Sequence, residues 1–198
     1  MALPPFPPGF RLGISLLAYL IILMGLLAGL DLLVGHRLSH RLSIQPRSLA
    51  GIPGIFVAPL LHQDLKHLAA NSAPLVILGS LILLQGFEVL GLVTGFCWLL
   101  SGLGVWLLGR PGTRHLGASG VVFGWLGFLL LRGYFERSLV TIALAILAGI
   151  LYGGTLWGLL PLHRGKSWVG HSLGFCAGAI AARYLDSLQS WWMHNSGW

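Results

Sequence analysis

Residues 116–131 read LGASGVVFGWLGFLLL. They carry no charge and a single hydroxyl, at Ser119. At about 1.5 Å per residue they make roughly 24 Å of helix, short against a hydrocarbon core about 30 Å thick. A helix of that length either thins the bilayer or is surrounded by other helices and stops partway. In the second case its N-terminus lies below the membrane surface and faces a cavity, since non-helical backbone at depth must be buried in protein or wet. The rest of the chain supplies the surrounding helices. Hydrophobic residues make up 56% of its 198 residues and charged residues only 9%, against about 25% charged in an average soluble domain. That balance excludes the soluble enzyme folds, and the same numbers exclude disorder.

Working outward, the apolar runs are 12–34, 68–84, 89–108, 116–131, 139–160 and 168–185. They predict an all-α polytopic membrane protein, one domain over 1–198 built as a bundle of six transmembrane helices. Asp31 falls near the end of the first run, and a turn around Gly86 and Glu88 precedes the third. The segment 35–61 holds Arg37, Arg41 and Arg47 and is broken by Pro53 and Pro59, so it reads as an interfacial loop. The start of the chain is proline-rich and lacks the basic region of a cleavable signal, so the first run is expected to be a retained helix. The aromatic tail, Trp191, Trp192 and Met193 to Trp198, reads as an interfacial anchor.

The formal net charge is +7, with the cations scattered singly between apolar runs. Nucleic-acid binding would need them clustered on a soluble surface, so anionic lipid headgroups are the expected counter-charge. Cys97 and Cys176 each sit inside an apolar run, without disulfide or metal-ligand spacing, and read as buried free thiols. No metal and no cofactor is expected.

Polar residues inside membrane helices are functional candidates by default. Ser119 opens the fourth run in Gly117-Ala118-Ser119-Gly120. His67 and Asn71 stand four apart at the start of the second, hence on one helical face. His171 opens the sixth, in Gly170-His171-Ser172-Leu173-Gly174. Helices two, four and six cross in the same direction, so these residues can share one depth and one cavity. The chemistry is that of nucleophilic catalysis. A serine hydroxyl needs a base to take its proton, and a neutral imidazole is the usual one. Attack on an amide creates an oxyanion, for which Asn71, His67 and the N-terminal amides of the fourth helix are donors. Asp31, Asp64, Glu88, Glu136 and Asp186 all lie near span ends or in loops, so the site would be a Ser–His dyad. Chance alone gives about 0.3 occurrences of G-x-S-G in a chain of this composition, so the joint position of these residues carries the reading, not the motif.

Taken together, His62-x4-His67-x3-Asn71, Gly117-Ala118-Ser119-Gly120 and His171-x2-Gly174-x3-Gly178 resemble the rhomboid family of intramembrane serine proteases in order, spacing and host helix. The resemblance covers the six-helix core. It implies that Ser119 is the nucleophile and His171 the general base. It also implies an oxyanion hole of His67, Asn71 and the Ser119 backbone N–H, a structural His62, and transmembrane protein substrates with small residues at the cut. Two departures stand out. The Trp-Arg pair frequent in the family's first long loop has no tryptophan here, and Phe123 replaces a tyrosine one turn after the serine. The glycine steps Gly170, Gly174, Gly178 and Gly120, Gly124 would let the fourth and sixth helices approach closely. Pro74, one turn after Asn71, is expected to bend the second helix.

The resemblance implies a cytoplasmic N-terminus and a site opening outward, as in a prokaryotic inner membrane. The cation tally points the other way. Arg11, Arg132, Arg137 and Arg183 lie on the N-terminal side; Arg37, Arg41, Arg47, Lys66, Arg110, Arg114, Arg164 and Lys166 lie on the other. A catalytically silent, rhomboid-like binder of membrane clients is the alternative, but such proteins lose the serine or histidine. A channel or transporter would carry an inverted repeat or paired broken helices, and neither is visible.

Overall fold

The computed structural model describes residues 6–162 and 167–196. Arg164 and Lys166 of the cation tally, Trp198 of the aromatic tail and residues 1–5 of the proline-rich start lie outside the described residues. The described chain is all-helical, with one isolated antiparallel bridge between Ile44 and His115.

Helix α1 spans Phe10–Leu33. Near its end Asp31 is only 1% exposed. A buried carboxylate in an apolar helix is costly unless it is fully bonded. Here it turns onto α2 (Arg37–Leu42), accepting the Leu38 and Ser39 N–H groups at 2.8 and 3.1 Å and the Ser39 hydroxyl at 2.5 Å. The charge is thereby satisfied and the turn fixed.

The segment expected as a loop then contains a 3-10 turn (Leu49–Gly51), a short helix α3 (Ile52–Val57) and a second 3-10 turn (Ala58–Leu60). Helix α4 (Leu65–Leu83) is capped by the Asp64 carboxylate, which accepts the His67 N–H at 2.7 Å. Pro74 lies within this helix. Helix α5 (Phe87–Leu108) follows after Gly86. The segment before α4 is fastened to α5 by side chains of α5 itself. Trp98 Nε1–H donates to the Ile55 carbonyl at 3.1 Å and Trp106 Nε1–H to that of Ser48 at 2.9 Å. The loop has no tryptophan of its own, so its indole anchors come from the helix on which it lies.

Helix α6 runs Ser119–Glu136. It begins three residues later and ends five residues later than the apolar run 116–131. It continues past Arg132 because that charge is neutralised locally: Arg132 Nε lies 2.7 Å from Glu136 Oε2, and its Nη2 lies 3.0 Å from Asp186 Oδ1 on the helix packed alongside. At about 1.5 Å per residue α6 is roughly 27 Å long rather than 24 Å. Helix α7 (Leu139–Tyr152) is capped by Ser138 and continues as a 3-10 turn over Gly153–Leu159. Helix α8 (Trp168–Ser196) passes through a kink at Tyr184, where φ is −114°.

Among the described residues, four stretches are long and apolar enough to cross a membrane: Phe10–Leu33, Leu65–Leu83, Phe87–Leu108 and Leu139–Leu159. Helices α6 and α8 are long but less apolar, and they make the most extensive helix–helix contact in the molecule. Helix α6, packed among α4, α5, α7 and α8, need not be apolar all round. Helix α8 buries one stripe and leaves Ile180, Tyr184 and Cys176 exposed on the other side, so Cys176 is not the buried thiol expected from its apolar run. Trp125, Leu126, Phe128 and Leu129 of α6 are fully buried, next to Ala177, Ala181 and Ala182 of α8. The approach is close enough that a Cβ on Gly174 would land on the Gly120 carbonyl oxygen, and one on Gly178 on that of Gly124. Glycine at these two positions sets the distance between the helices.

Candidate active site

Ser119 is the first residue of α6, and Ala118 before it is the N-cap. The N–H groups of a helix's first turn have no intrahelical acceptor, so those of Ser119 and Gly120 are available to an anion. The turn into the helix requires Gly117, whose φ is +102°. A Cβ there would sit 2.6 Å from His67 Cε1, so the His67 ring packs directly on the backbone leading to the serine. The Gly117 N–H is tied to the Ala58 carbonyl at 2.8 Å. The segment before α4 thus holds this turn as well.

The His171 ring, on the first turn of α8, points at the serine. Its Nε2 lies 3.0 Å from Ser119 Oγ. Its Nδ1 lies 3.0 Å from the Gly158 carbonyl oxygen, in the 3-10 turn after α7. A carbonyl only accepts, so Nδ1 carries the hydrogen, and in the neutral ring the Nε2 lone pair faces the serine hydroxyl. Phe123 stacks on the imidazole with centroids 4.2 Å apart and planes 13° from parallel. The ring packing expected of this position is made by phenylalanine.

Asn71 and Ser119 line one cleft, together with Pro74, Phe123, Tyr152 and Thr155. Asn71 is buried, and its amide donates to the His67 carbonyl at 3.1 Å, which leaves its second N–H for another acceptor. His67 reaches the site through Gly117 rather than through this cleft. His62, 2% exposed, stands edge-on to His67 with centroids 5.1 Å apart. Burial, with His67 adding to it, pushes the His62 imidazole down to about 4, so this ring is neutral at physiological pH.

Some residues at the site were not legible beforehand. Ser119 also borders a second cleft, with Ser101, His115 and Ser167 on its wall. Thr113 donates its hydroxyl hydrogen to the Arg110 carbonyl at 2.5 Å, so it accepts from His115 Nε2–H at 2.8 Å. His115 Nδ1 then accepts from Ser167, 2.7 Å away, just before α8. Burial lowers the His115 pKa, which favours the neutral ring that this chain of bonds needs. The signal that could have found His115 was weak: a lone histidine in a loop, four residues before the serine. The Gly158 carbonyl had no signal at all. Among the described residues no group of three or more His, Cys, Asp or Glu side chains could hold a metal ion.

The family model for the Rhomboid domain matches residues 51–187, which contain every one of these side chains. The chain belongs to the rhomboid family. It is similar to an uncharacterized protein of Mycobacterium bovis and to one of Mycobacterium tuberculosis. Each is 39% identical over 188 residues, covering 91% of this chain and 78% of the relative. An uncharacterized protein of Mycobacterium leprae is 38% identical over 183 residues, covering 88% of this chain and 72% of the relative. The domain and the apolar helices make this an integral membrane protein.

Proposed function

We propose that this protein is an intramembrane serine endopeptidase that cuts transmembrane segments of other membrane proteins. The observation that carries the reading is the 3.0 Å approach of His171 Nε2 to Ser119 Oγ, with Nδ1 already committed to a carbonyl. In this reading all six long helices, α1 and α4 to α8, cross the bilayer as one rhomboid domain. Helix α6 is shielded from lipid by the others, and α8 packs one face on it. The host membrane is a prokaryotic inner membrane, in keeping with the mycobacterial relatives. Its N-terminus is cytoplasmic, as the family resemblance implies and against the cation tally.

The mechanism follows from the geometry. Ser119 Oγ attacks the scissile carbonyl carbon while His171 Nε2 takes its proton. The carbonyl oxygen becomes an oxyanion, bonded by the Ser119 N–H, the free N–H of Asn71 and the His67 ring. The imidazolium then gives its proton to the leaving amine as the C–N bond breaks, leaving an acyl-enzyme on Ser119. Water adds to that ester with the same histidine as base, which frees the acid and restores the serine. The third member of a triad, a carboxylate, is not required for these steps, because Gly158 already fixes the ring. That both residues are present and in hydrogen-bond contact supports this reading over the catalytically silent one.

A fluorophosphonate serine probe tests the proposal on the purified full chain. Labelling confined to Ser119, lost in His171→Ala, is the expected result. A correctly folded protein that takes no label and cleaves no transmembrane substrate overturns it.

A further inference from the structure

The 3-10 turn over Gly153–Leu159 has no buried residue. Trp157 is 70% exposed, and a Cβ on Gly153 or Gly154 would meet nothing within 4 Å. Leu156 packs on the core, but the outer face of the turn is open, and its last carbonyls would aim a catalytic base poorly without further ties. Yet its Gly158 carbonyl is what fixes the hydrogen on His171 Nδ1. Among the described residues, adjacent residues of α8 make hydrogen bonds to this turn. One is the His171 bond itself. Another is that of the Ser172 hydroxyl, which donates to the Leu159 carbonyl at 2.8 Å. At Gly158 a Cβ would lie 3.0 Å from Phe123 Cζ and 3.5 Å from His171 Nδ1, so the backbone sits against the imidazole with only a hydrogen between.

The geometry points to Ser172 as a positioning residue, one that clamps Leu159 so that the neighbouring Gly158 carbonyl takes the part a carboxylate plays in a triad. The inference rests on the protease reading and adds to it the device that sets the tautomer of the base. A carbonyl is a weaker partner than a carboxylate, because it brings no charge. It can do the same orienting work only if it cannot drift. Without the clamp the turn can swing out, Nδ1 loses its acceptor, and the ring is free to carry its hydrogen on Nε2. In that tautomer the atom facing Ser119 is a donor and cannot take the hydroxyl proton. In a serine–histidine–aspartate triad the wrong tautomer costs roughly 10⁴ in kcat. Partial release should cost less, because the other tautomer remains populated.

The test compares wild type, Ser172→Ala and Ser172→Thr as full chains in detergent micelles. Three quantities are read: ¹⁵N shifts of the His171 ring, kcat and KM on a model transmembrane substrate, and melting temperature. Wild type should show hydrogen on Nδ1 and a bare Nε2. Ser172→Ala should show hydrogen on Nε2 in a substantial fraction, with kcat lowered roughly 5- to 50-fold and KM little changed. Ser172→Thr, which keeps the hydroxyl, should return both toward wild type. A Ser172→Ala protein with the wild-type tautomer and kcat per folded molecule, whether or not it melts earlier, overturns the inference. Should that variant fail to fold, the wild-type ring decides: hydrogen on Nε2 in the wild type also overturns it. If the tautomer follows Ser172 while no variant cleaves or labels, the protease reading fails and the clamp stands.

Discussion

Helices α1 and α6 are built from similar residues and do opposite jobs. Only 17% of the apolar stretch of α1 is buried, and Leu26 and Leu33 stand 68% and 85% exposed. Helix α6 buries ten of its residues, carries Arg132 and Glu136, and begins at the proposed nucleophile. The outer helix is apolar because its solvent is lipid. The inner helix can hold charge, a hydroxyl and glycine because its solvent is protein. Chemistry that would be prohibitively costly against acyl chains therefore sits on the packed faces of the inner pair, α6 and α8, and of α4 beside α6, with α5 and α7 packed around them. Substitutions that mean little on the outside should be decisive on the inside, and the following measurements can break that contrast.

The largest effect is expected at Ser119. Ser119→Ala removes one oxygen from a helix start and should reduce cleavage and probe labelling to background while leaving the melting temperature within a degree or two. His171→Ala should come close to it, because the serine proton then has no acceptor. Equal cleavage of a model transmembrane substrate by Ser119→Ala and wild type would remove the inner pair's claim to the chemistry.

Next comes the helix contact itself. Gly174→Ala adds a methyl group where the Gly120 carbonyl already lies. The two helices would have to separate along their whole contact, and that separation would pull His171 from Ser119. A loss of about 3 kcal/mol or more is expected, at or beyond the upper end of overpacking effects, with activity falling in step. Thermal unfolding followed by tryptophan fluorescence reads it. An unchanged melting temperature would mean that the inner helices are less tightly packed than their glycines demand.

Asn71→Ala should be milder. Removal of one oxyanion donor typically costs roughly 10²–10³ in kcat, about 3–4 kcal/mol. The effect here should be near that range, or smaller if His67 and the helix amides compensate. The competing account is that Asn71 only bonds its own helix, at the His67 carbonyl. That account predicts a lower melting temperature with kcat per folded molecule unchanged, so measuring both decides between them.

How much of this was readable beforehand follows the same division between inside and outside. Long apolar runs announce lipid-facing helices such as α1 directly, because every face must be apolar. Ser119, His171 and Asn71 stood out because polar side chains are rare in such runs. The true extent of α6 was hidden, since Arg132 looks like a helix terminator until Glu136 and Asp186 are brought beside it. The tethers from Trp98 and Trp106 join residues 43 and 58 positions apart, and no local pattern encodes that. The Gly158 carbonyl was beyond reach for a different reason: every residue has a carbonyl, and only the fold decides which one meets the imidazole.

The smallest effect should come from the same substitution made on the outside. Gly29 lies in α1, and a Cβ built there meets nothing within 4 Å. Gly29→Ala therefore has no steric cost. Glycine in a helix interior is less favourable than alanine by roughly 0.5–1 kcal/mol, because it gives up more backbone freedom on folding. Gly29→Ala should accordingly raise the melting temperature slightly or leave it unchanged, and cleavage should be unaffected. Set beside Gly174→Ala, it is one chemical change with opposite signs in two helices of one chain. A general intolerance of glycine replacement in membrane helices would predict loss at both sites. The contrast drawn here predicts loss only where the added carbon meets a neighbouring helix. If Gly29→Ala destabilises the protein as strongly as Gly174→Ala, then the outer face of α1 is covered by something other than lipid, and its assignment to the shell is wrong.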